Sequence, residues 1–138
     1  MSILATTRTR LIGDTNLVAL ATGGIFVDIS PPEEYRPHVL LYGIYEETED
    51  CLTNFESFQS TSIRFEAVAT SRSEAEQVMR LVEAALDGWR GREPGDEIFV
   101  NGVKRKTGRT QLVSPPQDGT DQWLFRTIMN FDINHYYV

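Results

Sequence analysis

Residues 62–88 read SIRFEAVATSRSEAEQVMRLVEAALDG, and the change of period inside this stretch decides the fold class. Ile63, Phe65, Ala67 and Ala69 alternate with Ser62, Arg64, Glu66 and Thr70, the two-residue period of a half-buried strand. Ala75, Val78, Met79, Val82, Ala85, Leu86 and Trp89 then follow i, i+3, i+4, i+7 spacing. That spacing gathers them on one stripe of an amphipathic helix over about 72–87. Ser71 with Glu74, or Ser73 with Glu76, supplies a capping box, and Gly88 a stop. The outward side chains are Arg, Glu, Gln and Ser with no convergent set. A well-specified scaffold unit without a reactive group points toward assembly rather than catalysis.

The flanks extend this pattern. Ile3, Leu4, Leu11 and Ile12, then Leu17, Val18 and Leu20, predict one or two short helices over 2–12 and 15–21, broken at Gly13-Asp14. Asp14 or Thr15 can cap the second, and Gly23-Gly24 ends it. Ile25-Phe26-Val27 reads as a short strand, and Pro31-Pro32-Glu33-Glu34 as a rigid polar loop. His38-Val39-Leu40-Leu41-Tyr42-Gly43-Ile44-Tyr45 is apolar on both faces, so this strand is expected to be central or covered on both sides. Residues 46–60 are expected to form a loop carrying the acidic run Glu46, Glu47, Glu49 and Asp50.

Beyond Gly91 the signals are again those of β structure. Asn101-Gly102 between apolar residues predicts a hairpin turn, with Glu97, Ile98, Phe99 and Val100 on one arm and Val103 and Lys104 on the other. Residues 109–113 and 122–133 predict two further strands. In the second, Trp123, Phe125, Met129, Phe131 and Ile133 share a face opposite Gln122, Arg126, Asn130 and Asp132. Pro115-Pro116 and Asp118-Gly119 mark the loop between them, and 134–138 reads as a tail. The expected fold is α+β over one domain, 1–138: a mostly antiparallel sheet with helices packed on one face.

Composition bounds the function. At 138 residues and 41% hydrophobic content the chain can build one core without staples. A net charge of −7 opposes general affinity for nucleic acid or anionic membrane. The single cysteine, Cys51, excludes an intrachain disulfide. No apolar run reaches the length of a bilayer span, and MSILATTRTRL lacks the apolar core of a signal peptide.

A search for chemistry yields little. His38 and His135 lack ligand-spaced neighbours, and read as a strand start and a tail residue. Cys51 sits in a polar stretch without a base nearby in sequence. No nucleophile-elbow, dinucleotide or phosphate-loop motif occurs. The carboxylates fall in hydrophilic runs at 33–34, 46–50 and 93–97, as expected of solvated loops. Lys104, Arg105, Lys106 and Arg109 form the basic cluster, read either as a solvated, charge-guarded edge or as a contact to an acidic partner. Ile98, Phe99 and Val100, with Tyr136, Tyr137 and Val138, are read either as an oligomer contact or as core.

The order and spacing of these elements resemble the tail-terminator, or tail-completion, proteins of long-tailed bacteriophages. Leu17-Val18-Ala19-Leu20 through Gly23-Gly24-Ile25-Phe26 matches the helical pair that ends in a small-residue turn and an Ile-aromatic step. Pro37-His38-Val39-Leu40-Leu41-Tyr42 matches the following strand. Ile63-Arg64-Phe65-Glu66-Ala67 with Ser73-Glu74-Ala75-Glu76-Gln77-Val78 matches the strand-and-helix unit, and Phe131-Asp132-Ile133 the closing step. The segment 97–108 and Pro115-Pro116 depart from that pattern.

The resemblance implies a virion protein without catalysis or cofactor, assembled in the host cytoplasm and placed at the head-proximal end of the tail. Such proteins form a ring, typically hexameric, that caps the tail tube, stops its growth and meets the head-tail connector. The implied partners are further copies of itself, the tail tube protein and connector proteins, with DNA passing through the lumen. Ile98, Phe99, Val100, Val103, Lys104, Arg105 and Lys106 are the candidates for subunit or tube contacts, and Glu46, Glu47, Glu49 and Asp50 for a repulsive pore wall. The alternatives are a neck or head-completion protein, and a small dimeric α+β enzyme or ligand-binding protein.

Overall fold

The computed structural model describes residues 2–29, 31, 36–50, 57–115 and 123–137. Along them run α1 (Ile3–Ile12), α2 (Thr15–Leu20), β1 (Gly24–Val27), β2 (His38–Asp50), β3 (Ser57–Ala69), α3 (Arg72–Leu86), β4 (Ile98–Arg105), β5 (Thr110–Ser114) and β6 (Leu124–Tyr137). The helices pack on one face of a six-stranded sheet ordered β1-β2-β3-β6-β4, with β5 also paired to β6. Only the β1–β2 pair is parallel.

The β3–α3 unit forms as its periodicity predicts. Ser71 is the N-cap and its Oγ accepts from Glu74 N–H at 3.2 Å. Ala75, Val78, Met79, Val82, Ala85 and Leu86 are all buried, as is Trp89. Gly88, at φ +68°, turns the chain out of the helix in a conformation glycine adopts without steric cost. The stripe packs on Ile63, Phe65 and Ala67 of β3 and on Met129, Phe131 and Ile133 of β6. The outer face of β3 is more enclosed than a half-buried strand implies, with Ser62, Glu66 and Val68 buried. The polar members are partnered across strands: Ser62 donates to Asp132, and Glu66 lies 3.5 Å from Arg126.

The N-terminal helices cross the same face, with a different buried set from that expected. Ile3, Thr6, Thr7, Leu11 and Leu17 point inward, whereas Ile12 and Val18 are exposed. Thr7 can be buried because its hydroxyl donates to the Ile3 carbonyl at 2.7 Å. Thr6 donates to Asp96 at 2.6 Å. Asp14 caps α2, accepting from Leu17 N–H.

Three sequence expectations are corrected in the sheet. First, Asn101-Gly102 is no hairpin turn. Strand β4 continues through it, pairing with β6 from Ile98↔Tyr137 to Arg105↔Phe131, and the dipeptide is a bulge where the register shifts between Val100 and Gly102. Neither residue takes the positive φ that a primed turn requires. Second, 46–50 is strand, not loop: Glu46↔Thr61 through Asp50↔Ser57 extend the β2–β3 ladder. Third, β6 begins at Leu124 and runs to Tyr137, so 134–137 is no tail and Trp123 lies exposed before the strand.

Strand β2 meets its expectation over half its length. Val39, Leu40 and Leu41 are buried between β1 and β3, but a bulge between Gly43 and Tyr45 leaves Ile44 and Tyr45 exposed.

Candidate assembly surfaces

The sheet presents two different edges. On one side β1 covers β2 only from Gly24↔His38 to Val27↔Leu41. On the other, β4 and β5 lie end to end along β6, β4 against 131–137 and β5 against 124–128. The link between them is also tied to β6, since Lys106 N–H donates to the Asn130 carbonyl at 2.9 Å and Asn130 N–H to Thr107 Oγ1 at 3.3 Å. They therefore act as one interrupted edge strand.

The candidate contact residues divide by face. Ile98 and Val100 are wholly buried in the core, which leaves them no role as surface contacts. Val103 is half-buried against that core. Phe99 is half-buried on the opposite face, stacked on Tyr136 with centroids 5.1 Å apart. Lys104, Arg105 and Lys106 are exposed. Arg105 and Arg109 both pair with Glu83 of α3, and Lys106 with Asp132 at 3.8 Å. In these pairs Glu83 and Asp132 are the more buried partners, while Arg105 and Lys106 keep 61% and 53% of their side chains exposed, so these two cations stay available to a partner.

On the acidic side, Glu46 is exposed, and the backbone of Glu47, Glu49 and Asp50 belongs to β2. This arm stands at the same end of the sheet as an apolar patch of which sequence reading had singled out only Tyr137. Ile44, Tyr45 and Tyr137 are roughly half exposed, and with Ile3 and Leu4 they line one groove. Gly43, inside an apolar strand, was the available signal, because glycine there marks bulges.

His135 is a buried core residue. Its Nε2 lies 3.3 Å from Thr61 Oγ1, and its ring meets Tyr137 edge-on at 6.2 Å. Nδ1 has no hydrogen-bond partner among the described residues. Burial lowers its pKa below 6.5, because charging the ring would strand a cation away from water. The folded chain thus resists the proton that the unfolded chain accepts near 6.5. The stabilisation is complete above that pH and is lost as pH falls below it, toward the lowered folded-state value. Urea midpoints of the native protein are expected to fall over this window, and His135→Leu to flatten that part of the profile. Parallel profiles would contradict the assignment.

A groove of about 410 Å³ is lined by Arg80, Glu83, Asp87, Val103, Arg105 and Phe131. Its main acid, Glu83, is already engaged by two arginines. Among the described residues no three His, Cys, Asp or Glu side chains come together as a metal site, and no helix is long and apolar enough to cross a membrane. Cys51 and the 32–35 part of the proline loop lie outside the described residues.

No protein-family model matches the chain, and no curated protein matches it. Among solved structures, a chain from the virion of a native gene transfer agent particle matches it with a TM-score of 0.59 and 16% identity. The match covers 98% of this chain and 95% of that one, so the two folds correspond from end to end.

Proposed function

We propose that this chain is a structural protein of a phage-like particle, and within such a particle a tail terminator: a ring that caps the tail tube, stops its growth and joins it to the head connector. The observation that carries the reading is the end-to-end correspondence with a virion chain, 98% of this chain against 95% of that one. Two further features support it. The sheet carries two unlike edges, as a ring of identical subunits requires, because a head-to-tail contact joins different patches. The net charge of −7 suits a lumen through which DNA passes without adhering.

The contact residues that remain after the wholly buried ones are removed are Phe99, Val103, Lys104, Arg105 and Lys106, flanked by Tyr136. Phe99→Asp is expected to preserve the fold, since it loses one half-buried aromatic stack worth about 0.5–1.5 kcal/mol. It is also expected to abolish the ring, by placing a charge where a subunit must be desolvated. Native mass spectrometry reads the ring, and circular dichroism the fold. A normal ring from the variant would remove this face from the interface.

A further inference from the structure

The two sheet edges are opposite in charge and open over complementary lengths. Beyond Leu41 no strand lies beside the outer edge of β2 among the described residues, and this open stretch, 42–50, holds four acids and no base. On the far side Gly91 occupies the outer edge of β4 at Val100, with both backbone hydrogen bonds at 2.8 Å. Past that bridge, 102–114 has no outer neighbour strand among the described residues, and it holds Lys104, Arg105, Lys106 and Arg109 with no acid. An open strand edge is a template for another strand, and charge of opposite sign selects which strand binds.

We infer that copies of this chain join head to tail by strand addition, the acidic edge of β2 in one copy pairing with the basic β4–β5 edge of the next. The inference rests on the proposed ring and adds a pair of strand edges to its Phe99 face. Strand directions permit the joint. Strand β2 is antiparallel to β3, β3 to β6, and β6 to β4 and β5. The next copy's β2, added in the same sense, therefore runs antiparallel to β4–β5.

The obstacles at each end set the register. A strand sliding toward His38 meets β1 at Leu41, so the lowest clear register sets Ser114 across from Tyr42. Antiparallel counting along β5 then sets Thr110 beside Glu46, and the link residues Lys106 and Arg109 run on alongside Glu47, Glu49 and Asp50. The Gly91 bridge falls beyond the end of this ladder. The joint assigns the acidic strand to the contact between copies in place of the pore wall.

The test is a chain carrying Glu47→Cys and Arg109→Cys in a Cys51→Ser background. Within one chain these positions lie on opposite edges, about 14 Å apart across the sheet at roughly 4.8 Å per strand spacing, and further apart again along it. A disulfide tolerates a Cα separation of only about 7 Å, so any bond formed joins two copies. Mild oxidation is expected to give a ladder of covalent multimers that returns to the 15.7 kDa chain on reduction. Glu47→Cys with Gln77→Cys, on the exposed side of α3, is expected to stay single. Cross-linking no greater than in that control overturns the pairing.

A charge exchange gives a second reading. Glu47→Lys/Asp50→Lys and Lys106→Glu/Arg109→Glu are each expected to lose the assembled mass alone, and to regain it when mixed. Assembly of either variant alone at native mass overturns the pairing. Native rings without the 47–109 bond defeat the edge joint and leave the ring standing. A native chain that neither forms rings nor caps tails defeats the proposed function itself.

Discussion

Replacing Phe65 by alanine is expected to cost about 3–5 kcal/mol, a large share of the roughly 5–15 kcal/mol that holds a domain of this kind folded. Phe65 is wholly buried on the central strand β3, between Leu41 of β2 and Met129 of β6. Its ring meets Phe131 edge-on, centroids 5.4 Å apart and planes at 87°, beneath the apolar stripe of α3. Truncation removes this contact and opens a cavity where sheet and helix meet, a site that close packing on every side keeps from collapsing. The thermal midpoint is expected to fall by about 10 °C or more. Phe65→Leu, which keeps most of the volume, is expected to lose much less. Equal losses from the two variants would place Phe65 outside the tightly packed core.

The second large effect is expected at Asp96. It is buried, and it accepts a hydrogen bond from Thr6 Oγ1 at 2.6 Å and another from Ile98 N–H at 3.0 Å. One carboxylate thus ties the first turns of α1 to the start of β4, 90 residues apart in sequence. Asp96→Ala leaves two buried donors without acceptors, at about 1–3 kcal/mol each. Asp96→Asn keeps an acceptor oxygen and is expected to cost less. Thr6→Val is expected to be nearly silent in the Asp96→Ala background, because the two share one interaction. Additive losses in urea unfolding would contradict the shared bond.

The difference between what sequence reading reached and what it missed has a physical pattern. The β3–α3 unit was legible because one apolar face and one cap act within 27 residues, and tertiary packing agrees with local preference. The core face of β6 was legible for the same reason. Its continuation was not, although Met129, Phe131, Ile133 and His135 keep one parity, because a histidine is rarely counted as core. The Asn101-Gly102 turn failed because the signal is local, while pairing with β6 is not. Seven ladder pairs to a central strand outweigh a turn preference, and the extra residue is absorbed as a bulge. The acidic strand at 46–50 was hidden because alternation shows only where one face is buried, and here the residue whose exposure is described, Glu46, faces solvent. Of the candidate contacts, Phe99 and the basic residues reached the surface and Ile98 and Val100 did not, a distinction set by register alone.

The measurement that bears most directly on the whole account is electron microscopy of tail tubes assembled from the tube protein of the same particle, with and without this chain. The account predicts that adding the chain stops elongation, with a ring of extra density at one end of each tube. Tubes that grow to unlimited length in its presence, with both ends bare, would contradict it.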